Sequence, residues 1–336
     1  MGVTVKQVAK AAGVSQATAA RALGGYGYVS SSARSAIEHA AQELGYRPHA
    51  LAQALASSVT RTVGLVVSDI ENPFFAAAAR GLSDVLEADG YTILLANSDE
   101  DLEREARLVE TFWARRVDGL VITPAVGTAT PHLKDLVQAG VPLVLFDRPA
   151  RGVKADAVMV DNKGGTRTAI EHLLRLGHRR IGIVSDYPEI PSSAERIQSY
   201  RDTLATAGLP VDETLIALTG STQADGYQAA RRLFESRRPP SAVFTANNMM
   251  SIGTLLALRD LNLAVPSDVA MVGFDDLDWT TLIEPPLTVV RQPVQEIGRQ
   301  AGERLLARIR GDTSTPRRIR LQTEFVVRGS CGASRT

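Results

Sequence analysis

Six polar residues, Asp69, Asp147, Asp161, Asp186, Asn247 and Asp275, each stand directly after a short apolar run. Carboxylates and an amide gathered in this way can accept hydrogen bonds from a bound ligand or act as a catalytic pair. Taken singly, each also fits a helix N-cap or a turn residue. Their recurrence points further. In open parallel sheets ligands bind outside the carboxyl ends of the strands, so these side chains are expected to face one crevice between two lobes. A second set lies near the amino end, where Gln16, Ala17, Ala20 and Arg21 fall on the outward side of a short helical stretch.

The elements that must carry these residues are of two kinds. Residues 1–60 read as short alanine-rich helices punctuated by Gly13 and by Gly24, Gly25 and Gly27. Thr4 caps a helix bearing Val5, Val8 and Ala9 on one face, Gly13 supplies a tight turn, and Ser15 caps a second helix whose inner stripe is Val14, Ala19, Ala22 and Leu23. This is a helix-turn-helix. A third helix begins at the serine run 30–32 and closes at Gly45. From Thr62 the texture changes to short β-branched runs, TVGLVVSD, YTILLANSD, DGLVITP and VPLVLFD, and the rhythm restarts after Asp161 with RRIGIVSD, ETLIALTG, SAVFTAN and DVAMVGFDD. Such runs look like strands buried on both faces of a parallel sheet. The expected fold is α/β: a helix-turn-helix headpiece with a hinge helix, followed by two doubly wound parallel-sheet lobes.

The 336 residues hold 37 basic and 37 acidic side chains, and 44% are hydrophobic. A net charge of zero argues against a nucleic-acid partner only if the charge is evenly spread. It is not. Residues 1–60 carry Lys6, Lys10, Arg21, Arg34 and Arg47 against Glu38 and Glu43, a net of +3, which leaves 32 basic and 35 acidic residues, −3, on the rest. A basic headpiece on a slightly acidic body is a footprint for DNA. Cys331 is the lone cysteine, so an internal disulfide and a thiolate metal cage are excluded, and the five histidines form no zinc-type spacing. No cofactor is expected. Neither a signal-peptide pattern nor an apolar run long enough for a membrane span occurs, so a cytoplasmic chain with no membrane partner is expected.

The segments VKQVAKAAGVSQATAARAL and YVSSSARSAIEHAAQELGYRPHALAQALAS resemble the headpiece and hinge of the lactose-repressor (LacI/GalR) family of bacterial transcription regulators. The resemblance continues in order through NPFF at 72–75, FDRP at 146–149, LGHRRIGIV at 176–184, TANN at 245–248, VGFDD at 272–276 and PPLTVVRQP at 285–293. It implies a helix-turn-helix domain at 1–46, a hinge helix and linker at 47–60, and an effector-binding and dimerisation core at 61–336. It also implies base contacts from Gln16, Ala17 and Arg21, and arginine can donate two parallel hydrogen bonds to guanine. Thr4, Ser15, Thr18 and Ser30 match phosphate-contact positions. Leu55 matches an apolar wedge that enters the minor groove and kinks the duplex. Ala20 and Gly24 depart from the serine and asparagine usual in the family, which removes backbone-directed polar contacts.

For the body the resemblance, shared with periplasmic sugar-binding proteins, implies effector contacts from Asn72, Phe74, Asp147, Arg148, Arg196, Asn247 and Asp275. One aromatic face, two carboxylates, two guanidiniums and two amides suit a polyhydroxylated ligand closed between lobes. Against this, Phe74 also fits ordinary core, Asp147 with Arg148 a local ion pair, and Asp275 or Asp276 a helix cap. Asn248 stands where the family usually has aspartate, and Ser221 where several members carry an aromatic ring. Loss of that ring favours a compact monosaccharide, ribose or a hexose, over a purine base or a large disaccharide.

The expected function is therefore a repressor that binds a palindromic double-stranded DNA operator as a homodimer and responds to a small effector, a sugar, with no tetramerising coil after the body. The alternatives are a nucleoside or purine acting as co-repressor, an exported sugar-binding protein, or an enzyme of doubly wound fold. An enzyme is disfavoured because no phosphate loop, nucleophile elbow or dinucleotide fingerprint occurs.

Overall fold

The computed structural model describes residues 3–24, 26–46, 59–126 and 130–332. The chain forms two compact units, Met1–Thr62 with Trp113–Asp118, and Val63–Phe112 with Gly119–Thr336.

In the first unit α1 (Val5–Ala11) and α2 (Gln16–Gly24) are joined through Gly13, whose φ of +66° is a conformation that favours glycine. Ser15 Oγ accepts from Thr18 N at 3.1 Å and so caps α2. The third helix, α3 (Ser31–Glu43), starts on Ser30, which accepts from Ala33 N, and is followed by Gly45 at φ +61°. Val8, Ala19 and Ile37 are fully buried between the three helices, with Ala9, Ala22, Ala40 and Ala41 around them. Alanine-sized side chains let short helices approach closely enough to share so small a core.

The second unit is built from two six-stranded sheets. Its first lobe runs β1 (Thr62–Val67), α4 (Pro73–Ala88), β2 (Thr92–Asn97), α5 (Leu102–Ala114), β3 (Gly119–Ile122), α6 (Pro131–Gln138), β4 (Leu143–Phe146) and β5 (Asp156–Val160). The second runs α7 (Asn162–Arg175), β6 (Ile181–Asp186), α8 (Pro191–Thr206), β7 (Ile216–Thr219), α9 (Gln223–Phe234), β8 (Ala242–Thr245), α10 (Asn248–Asp260), β9 (Ala270–Phe274), α11 (Trp279–Leu282) and β10 (Thr288–Arg291). The chain then returns to the first lobe with α12 (Val294–Ile309) and β11 (Arg318–Leu321), and to the second with β12 (Glu324–Val326). Strand orders are β11-β5-β4-β3-β1-β2 and β12-β10-β9-β8-β6-β7, and β12 pairs antiparallel with β10. Three crossings therefore join the lobes, after Val160, after Arg291 and after Leu321.

Three expectations need correction. Strand β2 lies at a sheet edge with Leu95 46% exposed, so it is not buried on both faces. An edge strand has only one neighbour, and here the apolar run covers one side only. The strands β10, β11 and β12 are absent from the apolar runs read in the sequence, and β5 is marked there only by Asp161 at its end; β5, β10 and β11 each lead into a crossing. Asp161 does not join the crevice either: it caps α7, accepting from Gly164 N at 2.9 Å, as the simpler reading of a strand-end aspartate has it.

Helices α4 and α12 pack backbone to backbone. A Cβ on Gly298 would stand 1.9 Å from Ala78 O, and one on Gly81 would stand 2.0 Å from Gln295 O. Neither carbonyl can retreat without moving a helix. Gly298→Ala is expected to destabilise the body by at least ~2 kcal/mol, measured as a drop in the urea midpoint; an unchanged midpoint would show that the helices are free to separate.

Candidate functional site

Two strand ends set the geometry of the crevice between the lobes. Asp147 follows β4 at φ +68° and Asp275 follows β9 at φ +81°. Non-glycine residues in this region cost about 1–3 kcal/mol each and persist only where surrounding contacts hold them. Here neighbouring strands do so: Asp147 N donates to Val158 O and Asp275 N to Val290 O, both at 2.9 Å. The two lobes thus present a carboxylate from the same backbone position.

All seven effector residues expected from the sequence, Asn72, Phe74, Asp147, Arg148, Arg196, Asn247 and Asp275, line this one crevice. It holds about 560 Å³ of unfilled space including its open mouth. Asn72 Oδ1 caps α4 by accepting from Phe74 N at 3.0 Å and also accepts across the lobes from Asn248 Nδ2 at 2.9 Å. Asn248 further donates its backbone N–H and Nδ2 to Asp275 Oδ2, at 3.0 and 3.1 Å. An aspartate at 248 would put a second negative charge against Asp275; the amide removes that repulsion.

The guanidiniums are fixed by neutral partners as well as by charge. Arg196 stacks on the Phe274 ring at 3.7 Å from its centroid, donates Nε–H to Asn162 Oδ1 at 2.9 Å and bonds Ala246 O. Arg148 donates Nε–H to Pro124 O at 2.8 Å, and its ion-pair partner is Glu100, not the adjacent Asp147. Asn247 uses both ends of its amide: Oδ1 caps α10 by accepting from Met250 N, and Nδ2 donates to both oxygens of Asp186 at 3.0 and 2.9 Å. Phe74 is 5% exposed and meets Phe75 edge-on, so most of its ring is core and only a margin faces the crevice.

Glu100, Gln292 and Ser221 also line the site, as do Asp69 and Asp186 of the strand-end set. Glu100 and Gln292 were not legible. Glu100 sits in the charged stretch NSDEDLERE, which reads as a solvated turn, yet Asp99 and Glu100 both adopt left-handed backbone, φ +53° and +57°. Gln292 lies in a crossing between lobes and donates Nε2–H to Asp275 Oδ1. The partner of Arg328 and Arg291 is Asp276, whose carboxyl they hold down at about 2; it is a structural tie, not part of the crevice.

Burial acts on the carboxylates that lack such ties. It raises the Asp147 carboxyl against the pull of Arg148 and Arg196, and it pushes Asp186 up to about 6 despite Arg196, Asn247 and Ser193. Burial also lowers the proton affinity of Arg196, which Asp275, Asp147 and Asp186 oppose. Because folded Asp186 holds its proton more tightly than the ordinary 3.8, its ionisation costs stability as pH rises from there through about 6. Asp186→Asn cannot ionise. Its unfolding free energy relative to wild type is expected to climb between pH 4 and 7 by up to roughly 3 kcal/mol, at ~1.4 kcal/mol per tenfold change in proton affinity. Parallel pH curves in urea titrations would refute this.

On the headpiece Gln16, Ala17 and Arg21 are exposed along α2, and Ala19 and Ala22 are turned inward. Ser15 and Thr18 hydroxyls meet at 2.9 Å, and the Thr4 hydroxyl donates to Gln7 Oε1 at 3.0 Å. Ser30 stands at the start of α3 beside Tyr28, which is 88% exposed and was not singled out from the sequence. Leu55 lies outside the described residues. Among the described residues no helix is long and apolar enough to cross a membrane.

A helix-turn-helix reader on the same chain as a two-lobed body with a polar crevice between its lobes defines the class of DNA-binding regulators that answer to small molecules. Residues 4–49 match the model of bacterial regulatory proteins of the lacI family, and residues 60–328 match that of periplasmic binding proteins and the sugar binding domain of the LacI family. The HTH-type transcriptional regulator CelR of Thermobifida fusca is 36% identical over 97% of this chain and 98% of its own. A solved complex of the regulator CelR with cellobiose is similar over 98% of this chain and 99% of that one, with 36% identity and a TM-score of 0.74. A LacI family regulator from Enterococcus faecium with bound ribose matches 80% of this chain and 98% of its own, at 31% identity and a TM-score of 0.71. The chain belongs to the LacI family of bacterial regulatory proteins, and it is a transcriptional regulator, as its relatives are, rather than an enzyme.

Proposed function

We propose that this regulator is a repressor that binds a palindromic operator as a homodimer and changes its grip on DNA when a sugar closes between the lobes of its body. One observation carries the effector half of the reading: seven side chains scattered over more than two hundred residues, from Asn72 to Asp275, meet in a single crevice. Residues 1–46 act as the DNA reader, 47–60 as the hinge, and 61–336 as the effector and dimerisation core, working in the cytoplasm where the operator is. Gln16, Ala17 and Arg21 read base edges, while Thr4, Ser15, Thr18 and Ser30 fix register on phosphates. Leu55 wedges into the minor groove. Asn72, Phe74, Asp147, Arg148, Arg196, Asn247 and Asp275 hold the sugar. The sugar shifts lobe closure and with it the hinges of the dimer, so that binding at one site changes affinity at the other. Relatives with bound cellobiose and bound ribose support a sugar over a nucleobase.

A thermal-shift screen of sugars and nucleosides, followed by a gel-shift titration on the DNA upstream of the gene with and without the hit, tests the whole reading. Arg21→Ala is expected to weaken operator binding by roughly 1–3 kcal/mol and relax preference at one guanine. Leu55→Ala lowers affinity without changing sequence preference. Asp275→Ala keeps operator binding and loses the response to the sugar; a retained response removes Asp275 from the effector site. Stabilisation by a nucleobase alone would replace the sugar.

A further inference from the structure

The crevice is electrostatically one-sided. Among the described residues five carboxylates line it against two guanidiniums, Arg148 and Arg196, and no lysine or histidine does. Arg148 already faces Glu100, and Arg196 is spent on Asn162, Ala246 O and the Phe274 ring. A bound anion would therefore meet excess negative charge, with both positive groups already engaged. Hydrogen-bond accounting points the same way. Glu100 Oε2 and Gln292 Oε1 are buried without a partner, Gln292 being only 6% exposed, and both residues line the crevice. Among the described residues no hydrogen bond reaches the Asp147 carboxylate, which also lines it. These are open acceptors. A hydroxyl-rich ligand supplies the donors they lack, whereas a phosphate or carboxylate brings only more acceptors.

Resting on the effector reading above, we infer that the crevice takes an uncharged, hydroxyl-rich sugar and rejects its phosphorylated and acidic forms, and that Glu100 is the specificity-determining residue. Glu100 acts twice. Its Oε2 accepts from a ligand hydroxyl, and its Oε1 occupies Arg148, the cation that would otherwise attract an anionic ligand. Two successive left-handed residues, Asp99 and Glu100, put it there, and the turn is tied by Asn97 and Arg104 on Asp99 and by Asp101 capping the next helix. This is discrimination by repulsion as well as by fit.

The test is calorimetric titration of the full-length protein with aldopentoses, aldohexoses and disaccharides, each paired with its phosphate ester or aldonic acid. The expected result is that at least one uncharged sugar binds with Kd below about 1 mM and that its charged partner binds at least ~100-fold more weakly. Glu100→Gln leaves Arg148 unpaired and is expected to narrow that ratio by about tenfold, weakening the sugar and strengthening the acid. A phosphate ester or acid that binds as well as its parent sugar overturns the inference and leaves the sugar reading standing. Failure of every sugar, charged or not, removes the sugar reading and this inference with it. A ratio unchanged in Glu100→Gln removes Glu100 from the role, whatever the wild-type preference.

Discussion

Charged side chains withdrawn from water must each find a partner, and the body of this protein is arranged around that demand. An isolated buried ion costs several kcal/mol. Arg196 meets the demand with an aromatic face, an amide and a carbonyl, and Arg148 meets it with Glu100 and a carbonyl. Asp275 is held by Asn248 and Gln292, and Asp186 by Asn247 and Ser193. Each of these partners sits at a strand end, a helix start or a lobe crossing. The fold therefore decides where the charges go, and the charges in turn require those ends to stay in register.

The same partners tie the lobes together. Asn248, at the start of a helix in one lobe, reaches Asn72, at the start of a helix in the other. Gln292 lies in a crossing and holds Asp275. Opening the crevice would break the first bond and strain the second, so a ligand that bridges the lobes has contacts to offer in one arrangement and not in the other. Differential contact of that kind is what a small molecule needs in order to bias a conformational equilibrium. Gly298 on Ala78 and Gly81 on Gln295 pack α4 against α12 backbone to backbone in the first lobe.

Much of this was legible because local chemistry repeats. Short apolar runs marked eight of the strands, six of those runs ending in aspartate or asparagine, and Ser15, Ser30, Gly13 and Gly45 marked the ends of the headpiece helices where they occur. The resemblance pointed to Arg148 and Arg196, which line the crevice, but not to their partners. Asp147 and Arg148, adjacent in sequence, do not pair; Asp147 takes left-handed backbone just past the end of β4, and Arg148 finds Glu100, which is 48 residues away. Asp161 looked like the other strand-end acids and became a helix cap, because its strand leads directly into the crossing to the second lobe.

The sequence by itself determined the two kinds of module, the separation of +3 from −3 that the net charge conceals, and which residue types stand at strand ends. These are local properties: periodicity, capping chemistry and charge count are written in neighbouring residues. Tertiary structure alone decided that the chain passes between the lobes three times, that β2 is an edge, and that Glu100 and Gln292 join the seven expected effector residues in one crevice. Those outcomes depend on which strands pair and which turns go left-handed, and both are settled by contacts between residues far apart in the chain. The strands at 288–291, 318–321 and 324–326 are short and carry arginine or glutamate, so their apolar pattern is too weak to be read until the neighbouring strands are in place.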